Sequence, residues 1–236
     1  MLGDFFKIAG YDWRADAEVI KHICYFTKTR ARSNYSGNFE FSYGMEQPFA
    51  IKAMVDWMSA SSMFEIGTGR GTSCYVASVS DSISKIDTID IIPFDHSRQE
   101  AIGHKPTFVS NEDLYQMISL ETKDKISFHH RNDVPSIISK DDKFDMFFID
   151  GNHTEYEVIF EDFLICQTMS HDESIFIFDD YDPNKFAVRE VVNAVQSKWP
   201  SYQGFLLSTR GHIFSDKRPM ELGSGMVVLR KGGFKF

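Results

Sequence analysis

Over the first sixty residues the apolar positions are spread at helical intervals, from Ala15 to Thr29 and again from Glu46 to Ala60. The polar break Ser33-Asn34-Tyr35-Ser36-Gly37-Asn38 separates the two. From there the pattern changes. Apolar residues gather into short β-rich runs at Ser62–Ile66, Lys85–Asp90, Ile126–His130, Phe144–Ile149 and Ser174–Phe178, with helix-compatible stretches between most of them. Strands that alternate with helices imply parallel pairing through right-handed crossovers, hence an open α/β sheet. Asn184 to Trp199 is the clearest helix, with Pro183 at its start, an apolar stripe of Val188, Val191, Val192, Val195 and Trp199, and Pro200 as its stop. Two last runs, Gly204–Phe214 and Gly225–Arg230, have no helix between them and predict an antiparallel hairpin at one sheet edge. The expectation is a doubly wound, mostly parallel sheet of about seven strands with helices before it. No repeat, low-complexity segment or Gly/Ser linker divides the 236 residues, so they read as a single domain with a helical cap (1–60) and a core (61–236).

Composition narrows the functional classes. The apolar fraction of 42% and the charged fraction of 25% are those of an ordinary globular protein. No run is long enough to span a membrane, and the N-terminus lacks the basic and apolar regions of a signal peptide. Cys24, Cys74 and Cys166 are scattered and odd in number, which predicts reduced thiols and a cytoplasmic location. A formal charge of −9 argues against a nucleic-acid partner, which would need a basic face. The 22 phenylalanines read as core packing, and those of the N-terminal helices offer a surface for a homodimer.

The chemistry begins at Met63-Phe64-Glu65-Ile66-Gly67-Thr68-Gly69-Arg70-Gly71-Thr72-Ser73, where a short apolar run breaks into glycines at every second position. That spacing predicts a buried strand, a tight loop whose backbone can lie against a ligand, and a helix N-terminus facing it. A dinucleotide fingerprint places its third glycine where this chain has Thr72, and no Gly-Lys-Ser/Thr follows to make a phosphate loop. The next strand ends in Asp90, at the sheet edge where such folds bind ligands, and its carboxylate can accept both hydroxyls of a ribose. Asp90 supports a nucleoside ligand without choosing among cofactors.

Further on, the run Phe147-Phe148-Ile149 ends in Asp150, and Ile175-Phe176-Ile177-Phe178 ends in Asp179-Asp180. Adjacent parallel strands would bring these acids together. Two carboxylates 4 Å apart repel by very roughly 4 kcal/mol at an effective dielectric near 20. Three therefore require a cation or shifted pKa values, and oxygen-only ligands suit Mg²⁺, with Ca²⁺ or Mn²⁺ as substitutes. The competing reading leaves Asp179 and Asp180 as solvated strand ends and Asp182 as a cap on the following helix.

The glycine loop, with Glu65 two residues before it, resembles that of class I S-adenosylmethionine-dependent methyltransferases, which share a Rossmann-like fold. The run Phe148-Ile149-Asp150-Gly151-Asn152-His153, with Tyr156-Glu157 and then Asp179-Asp180-Tyr181, narrows the resemblance to the macrocin O-methyltransferase and methyltransferase-24 type, over roughly residues 44–231. The resemblance implies that Glu65, Gly67, Thr68, Gly69, Gly71, Thr72, Asp90 and Asp150 line an S-adenosylmethionine site. It also implies that either Asn132 or Asp133 meets the adenine edge. Asp150, Asp179 and Asp180 would hold the divalent metal. His153 stands where catechol-type enzymes carry a lysine base, and imidazoles titrate near neutral pH. His153 or Asp150 would then take a proton from a hydroxyl of a sugar or other small polyhydroxylated substrate. A metal-independent N- or C-methyltransferase and a non-catalytic binding protein stay open as alternatives. Tyr43, Met45 and Gln47 are expected near cofactor and substrate, and His96 and His104 are possible liners of a pocket built by residues 91–119.

Overall fold

The computed structural model describes residues 1–27, 40–41, 43–102, 105–138, 141–182, 184, 187–214 and 222–234, with the backbone alone at 98–102 and 105–108. Three helices come first: α1 (Leu2–Ala9), α2 (Ala17–Thr27) and α3 (Gln47–Met58). Then follow β1 (Ser62–Ile66), α4 (Thr72–Ser78), β2 (Lys85–Asp90), β3 (Arg98–Ile102), β4 (Lys105–Val109), α5 (Asn111–Met117), β5 (Ile126–His130), α6 (Val134–Ile138), β6 (Phe144–Ile149), α7 (Tyr156–Thr168), β7 (Ser170–Tyr181), α8 (Val188–Lys198), β8 (Tyr202–Ser208) and β9 (Gly225–Lys231).

Seven strands form one sheet in the order β5-β2-β1-β6-β7-β9-β8. All pairings among β5, β2, β1, β6 and β7 are parallel. β9 inserts between β7 and β8 and runs antiparallel to both. The sheet is the Rossmann-like one expected. The order in which successive strands are added reverses between β1 and β6, which leaves a crevice beyond their C-terminal ends. The sheet interior is Phe64, Phe147, Phe148, Phe176 and Phe178, all buried, and Phe147 stacks on Phe176 at 5.0 Å. That accounts for much of the phenylalanine content. The first three helices share a buried cluster with one face of the sheet, through Leu2, Ile20, Phe49 and Met54 against Met63, Met146 and Val228.

Some boundaries differ from the sequence expectation, each for a local reason. α1 was not anticipated, although Leu2, Phe5 and Phe6 form a buried stripe and Gly10 ends it in a left-handed conformation (φ 65°). β7 runs four residues further upstream and includes the acidic pair at its end. β8 stops at Ser208 rather than Phe214, because one carboxylate oxygen of Glu46 accepts the backbone N–H groups of Gly211, His212, Ile213 and Phe214 at 2.8–3.3 Å. Donors committed to a side chain cannot continue a ladder with β9. The 91–119 segment forms the antiparallel pair β3–β4 followed by α5, and Ser110 caps α5 in a reciprocal box with Asp113. α8 begins at Val188, so the expected start at Asn184 is not helical, and Pro183 lies outside the described residues. So do the polar break at 33–38 and His104.

At the opposite edge of the sheet, Asp145 ties three elements together. Its Oδ2 accepts from the backbone and hydroxyl of Ser61 (both 2.7 Å) and from the backbone of Ser62, while His171 Nε2 lies 2.9 Å from Oδ1. Burial opposes ionisation of Asp145, but the donors from Ser61, His171 and Ser62 outweigh it and hold the carboxyl below its ordinary value. A lowered carboxylate stabilises the fold above the unfolded-state pKa and loses that contribution as pH falls through the folded one. Asp145→Asn is therefore expected to cost about 2 kcal/mol at pH 7. The difference from wild type should shrink as urea denaturation is repeated towards pH 3. A penalty as large at pH 3 as at pH 7 would assign the loss to packing instead.

Candidate active site

The glycine loop joins β1 to α4 across the crevice. All three glycines have positive φ (Gly67 97°, Gly69 52°, Gly71 77°), but space constrains them unequally. A Cβ on Gly67 would lie 2.2 Å from the carbonyl oxygen of Asp150, whereas one on Gly69 would meet nothing within 4 Å. The Asp150 N–H donates to Ile66 O at 2.8 Å, so the loop and the end of β6 touch backbone to backbone. Behind the loop, Glu65 is fully buried and accepts from the hydroxyls of Ser73 and Thr88. Burial pushes its carboxyl up to about 7. Glu65 borders none of the three hollows described next; it braces the loop from beneath. Asp90 is held by N–H groups of Gly69 (3.0 Å) and Ile92 (2.9 Å), which fix the carboxylate at the cleft wall.

Among the described residues, three hollows meet at this edge. The largest, about 470 Å³, is bordered by Gly67, Gly69, Asp90, Ile91, Asp150 and His153 among others. A second, about 240 Å³, shares Gly67, Gly69 and Asp150 with it and adds Thr68, Thr72, Ser73, Thr27 and Gln47. A third, smaller hollow is bordered by Gln47, Asp179, Asp180, Asp182, Thr209 and Arg210. Asp150 thus stands between the first two, and Gln47 between the second and third. Gly71 borders none of them; its Cα position faces Tyr75, whose ring would be 2.9 Å from a Cβ.

The expected acidic cluster is present. Each of Asp150, Asp179 and Asp180 offers an oxygen, and these three oxygens lie within 4.8 Å of one another. Asp180 reaches this position by a left-handed backbone (φ 52°) beside a register shift between Phe178 and Tyr181 in the β7–β9 pairing. An aspartate in that conformation is strained, and such strain concentrates at functional sites. Burial raises the Asp150 carboxyl well above its ordinary value, and the charges of Asp179, Asp180 and Glu65 add to the effect. Hard oxygen donors that repel one another fit a divalent cation. Gln47, from the first turn of α3, donates its side-chain amide to Asp179, so a residue outside the sheet orients one member. His153 is half-exposed with Nδ1 3.6 Å from Asp180 Oδ2, and its carbonyl accepts the Ala187 N–H at 3.0 Å.

Several expected residues sit elsewhere. Neither Asn132 nor Asp133 borders the cleft. Both are exposed, and Asp133 accepts the His130 N–H at 2.9 Å to cap the turn after β5. Their neighbour Arg131 takes the place at the wall, 2.6 Å from Asp162 of α7. Met45 is buried in the core, and His96 is exposed and borders none of the hollows. Glu46, Arg131 and Asp162 were not singled out from the sequence. Their partners are far away along the chain, and no local spacing marks them.

Comparison with known proteins identifies the family and the fold. The family model described as a methyltransferase domain matches residues 64–181, half of the chain, from β1 through the acidic end of β7. No curated protein matches the sequence. Among solved structures, TomG, an O-methyltransferase of Streptomyces achromogenes involved in tomaymycin synthesis and solved in complex with SAM, is 16% identical. It has a TM-score of 0.54 over 79% of this chain and 80% of its own. An O-methyltransferase from Bacillus cereus, in complex with SAH, is 16% identical with a TM-score of 0.52 over 78% and 79%. Cofactor-bound Rv0187 from MTB is 12% identical with a TM-score of 0.58 over 93% and 91%. At these identities the structures establish a shared fold. With its glycine loop and all three clustered acids inside the matched segment, the chain belongs to the methyltransferase-domain family of the methyltransferase-24 type.

Proposed function

We propose that this protein transfers a methyl group from S-adenosylmethionine to a hydroxyl of a sugar or other small polyhydroxylated metabolite, with a divalent cation held by Asp150, Asp179 and Asp180. The observation that carries the reading is the double position of Asp150. It borders the two hollows built on the glycine loop and belongs to the carboxylate cluster. Donor and acceptor sites therefore meet at one side chain.

Asp90, fixed by two backbone donors, is placed to accept the ribose hydroxyls. Asp150, Asp179 and Asp180 gather acidic groups at one end of the crevice, which suits a sulfonium or ammonium group. A divalent cation held by Asp150, Asp179 and Asp180 would supply the Lewis acidity that lowers the pKa of the substrate hydroxyl. The chain's own part is then proton transfer and orientation. His153 accepts the hydroxyl proton, and the nearby Asp180 carboxylate stabilises the resulting imidazolium. The oxygen–carbon bond forms as the carbon–sulfur bond breaks, leaving a methyl ether and S-adenosylhomocysteine. Gln47 keeps Asp179 oriented towards Asp150. Since the sulfonium is already a strong electrophile, positioning supplies most of the acceleration.

The test combines calorimetry with a panel of sugars and polyols as acceptors. S-adenosylhomocysteine should bind, and Asp90→Ala should weaken it at least tenfold. Transfer to the accepted polyol should stop with EDTA and return with Mg²⁺. Methylation of an amine that EDTA leaves untouched would support a metal-independent N-methyltransferase in its place.

A further inference from the structure

A buried glutamate that the transfer chemistry leaves unused holds one wall of the third hollow. Glu46 is fully buried at the start of α3, and its Oε1 accepts the backbone N–H groups of Gly211, His212, Ile213 and Phe214. Successive donors on one oxygen gather these residues into a concave turn. The left-handed Gly211 (φ 81°) opens the turn, and Phe214 ends it by stacking on Phe41 at 4.9 Å. Oε2 of Glu46 is buried with no hydrogen-bond partner among the described residues. Such a carboxylate is a poor device for stability, because the desolvation of its second oxygen is not recovered. It is a good device for fixing a loop, since hydrogen bonds to an ionised acceptor are roughly twice as strong as neutral ones. The turn follows directly on Thr209 and Arg210, which border the third hollow and neither of the other two. Arg210 is, among the described residues, the single cationic side chain on a wall that carries three aspartates. Gln47, next in sequence to Glu46, borders the same hollow and donates to Asp179. Two consecutive residues thus hold the turn and the acidic cluster that border one cavity.

We propose that Glu46 is a positioning residue for the methyl acceptor: it fixes the turn so that the Arg210 guanidinium donates to acceptor oxygens beside the reacting hydroxyl. The inference rests on the methyl-transfer reading above, with the third hollow taking the acceptor. Arg210 stands immediately before the four N–H groups that Glu46 holds, so loosening them frees its backbone. A guanidinium offers five N–H donors in a fixed fork and accepts nothing, which matches a surface of hydroxyl and ring oxygens. A group of this kind selects well only when the shell behind it holds it still. The cofactor side does not depend on the turn, because the glycine loop and Asp90 border the largest hollow without it.

The test is steady-state kinetics of the whole chain on the sugar or polyol of the panel above that is methylated fastest, beside calorimetry with S-adenosylhomocysteine. Glu46→Gln and Arg210→Ala should each raise the acceptor KM about tenfold, with kcat changed by less than about threefold. Affinity for S-adenosylhomocysteine should stay within about twofold of wild type in both. Because Glu46 acts through Arg210, the double variant should also stand near about tenfold rather than about a hundredfold. Glu46→Asp gives a second route if Glu46→Gln does not fold. It keeps the carboxylate but draws it back from the turn by one methylene, so KM should again rise. A merely structural glutamate would lower the melting temperature and the active fraction while leaving KM unchanged. An unchanged KM in a folded Glu46 variant, or effects that multiply in the double variant, overturns the proposal. A wild type that binds S-adenosylhomocysteine but methylates no sugar or polyol overturns the acceptor reading itself, and this inference with it.

Discussion

Gly67→Ala is expected to destabilise the protein by about 4 kcal/mol or more, enough to unfold a marginal domain. Two costs add. At φ 97° an alanine is strained, and its Cβ would sit 2.2 Å from the Asp150 carbonyl oxygen, 2.5 Å from its carbon and 2.6 Å from the Gly151 nitrogen. All three neighbours are backbone, so no rotamer change relieves the overlap. The end of β1 would have to move away from β6, breaking the 2.8 Å hydrogen bond from Asp150 N–H to Ile66 O. Gly69→Ala is the control. It also has positive φ, but open space surrounds its Cα, and its cost should stay near 1 kcal/mol. Urea denaturation of the two variants measures the contrast. Equal midpoints would mean that conformation alone, rather than the close approach of two strand ends, dictates glycine in this loop.

Asp150→Asn is expected to act with opposite signs on stability and on the proposed cation. Without a cation, Asp150 carries the repulsion of Asp179, Asp180 and Glu65 in a buried setting. An amide removes that repulsion, so the metal-free variant should be more stable than wild type by roughly 1 kcal/mol at neutral pH. The same change should weaken Mn²⁺ binding at least a hundredfold, since one of three carboxylate ligands is lost. Thermal melts with and without Mn²⁺, alongside paramagnetic titration of free Mn²⁺, separate the effects. The wild-type pH dependence has a definite sign. A carboxyl raised above its ordinary value holds its proton into a higher pH range, and the cation must displace it. Mn²⁺ affinity should therefore rise with pH until Asp150 is ionised, and this slope should disappear in Asp150→Asn. A variant that binds Mn²⁺ like wild type would remove Asp150 from the ligand set.

The five parallel strands were legible because each is a short apolar run ended by a polar or glycine residue, and Ser62–Ile66, Lys85–Asp90, Ile126–His130 and Phe144–Ile149 keep their predicted limits. The strand-end acids were legible for a related reason. Parallel strands place their C-termini on one edge, so an acid that ends each of two neighbours must share that edge. Gly204–Phe214 was overestimated because its composition continues to favour a strand up to Phe214, while a glutamate about 165 residues away takes the N–H groups a strand would need. Asn132 and Asp133 were expected at the cleft because only the neighbourhood, not the direction of each side chain in a short 3₁₀ turn, follows from sequence order.

What this sequence determined by itself is the set of local constraints: the apolar periods, the glycine spacing, and the residue type at each strand end. These depend on neighbours within a few positions. They sufficed for the sheet, the crevice and the meeting of Asp150 with Asp179 and Asp180. The tertiary structure alone decided which polar groups face the crevice and which are used up elsewhere. Glu65 spends its oxygens on Ser73 and Thr88, Asp133 caps a turn, and Arg131 turns to Asp162 from a distant helix. Buried polar groups must find partners wherever the fold brings them, and those partners are set by packing between elements rather than by spacing along the chain.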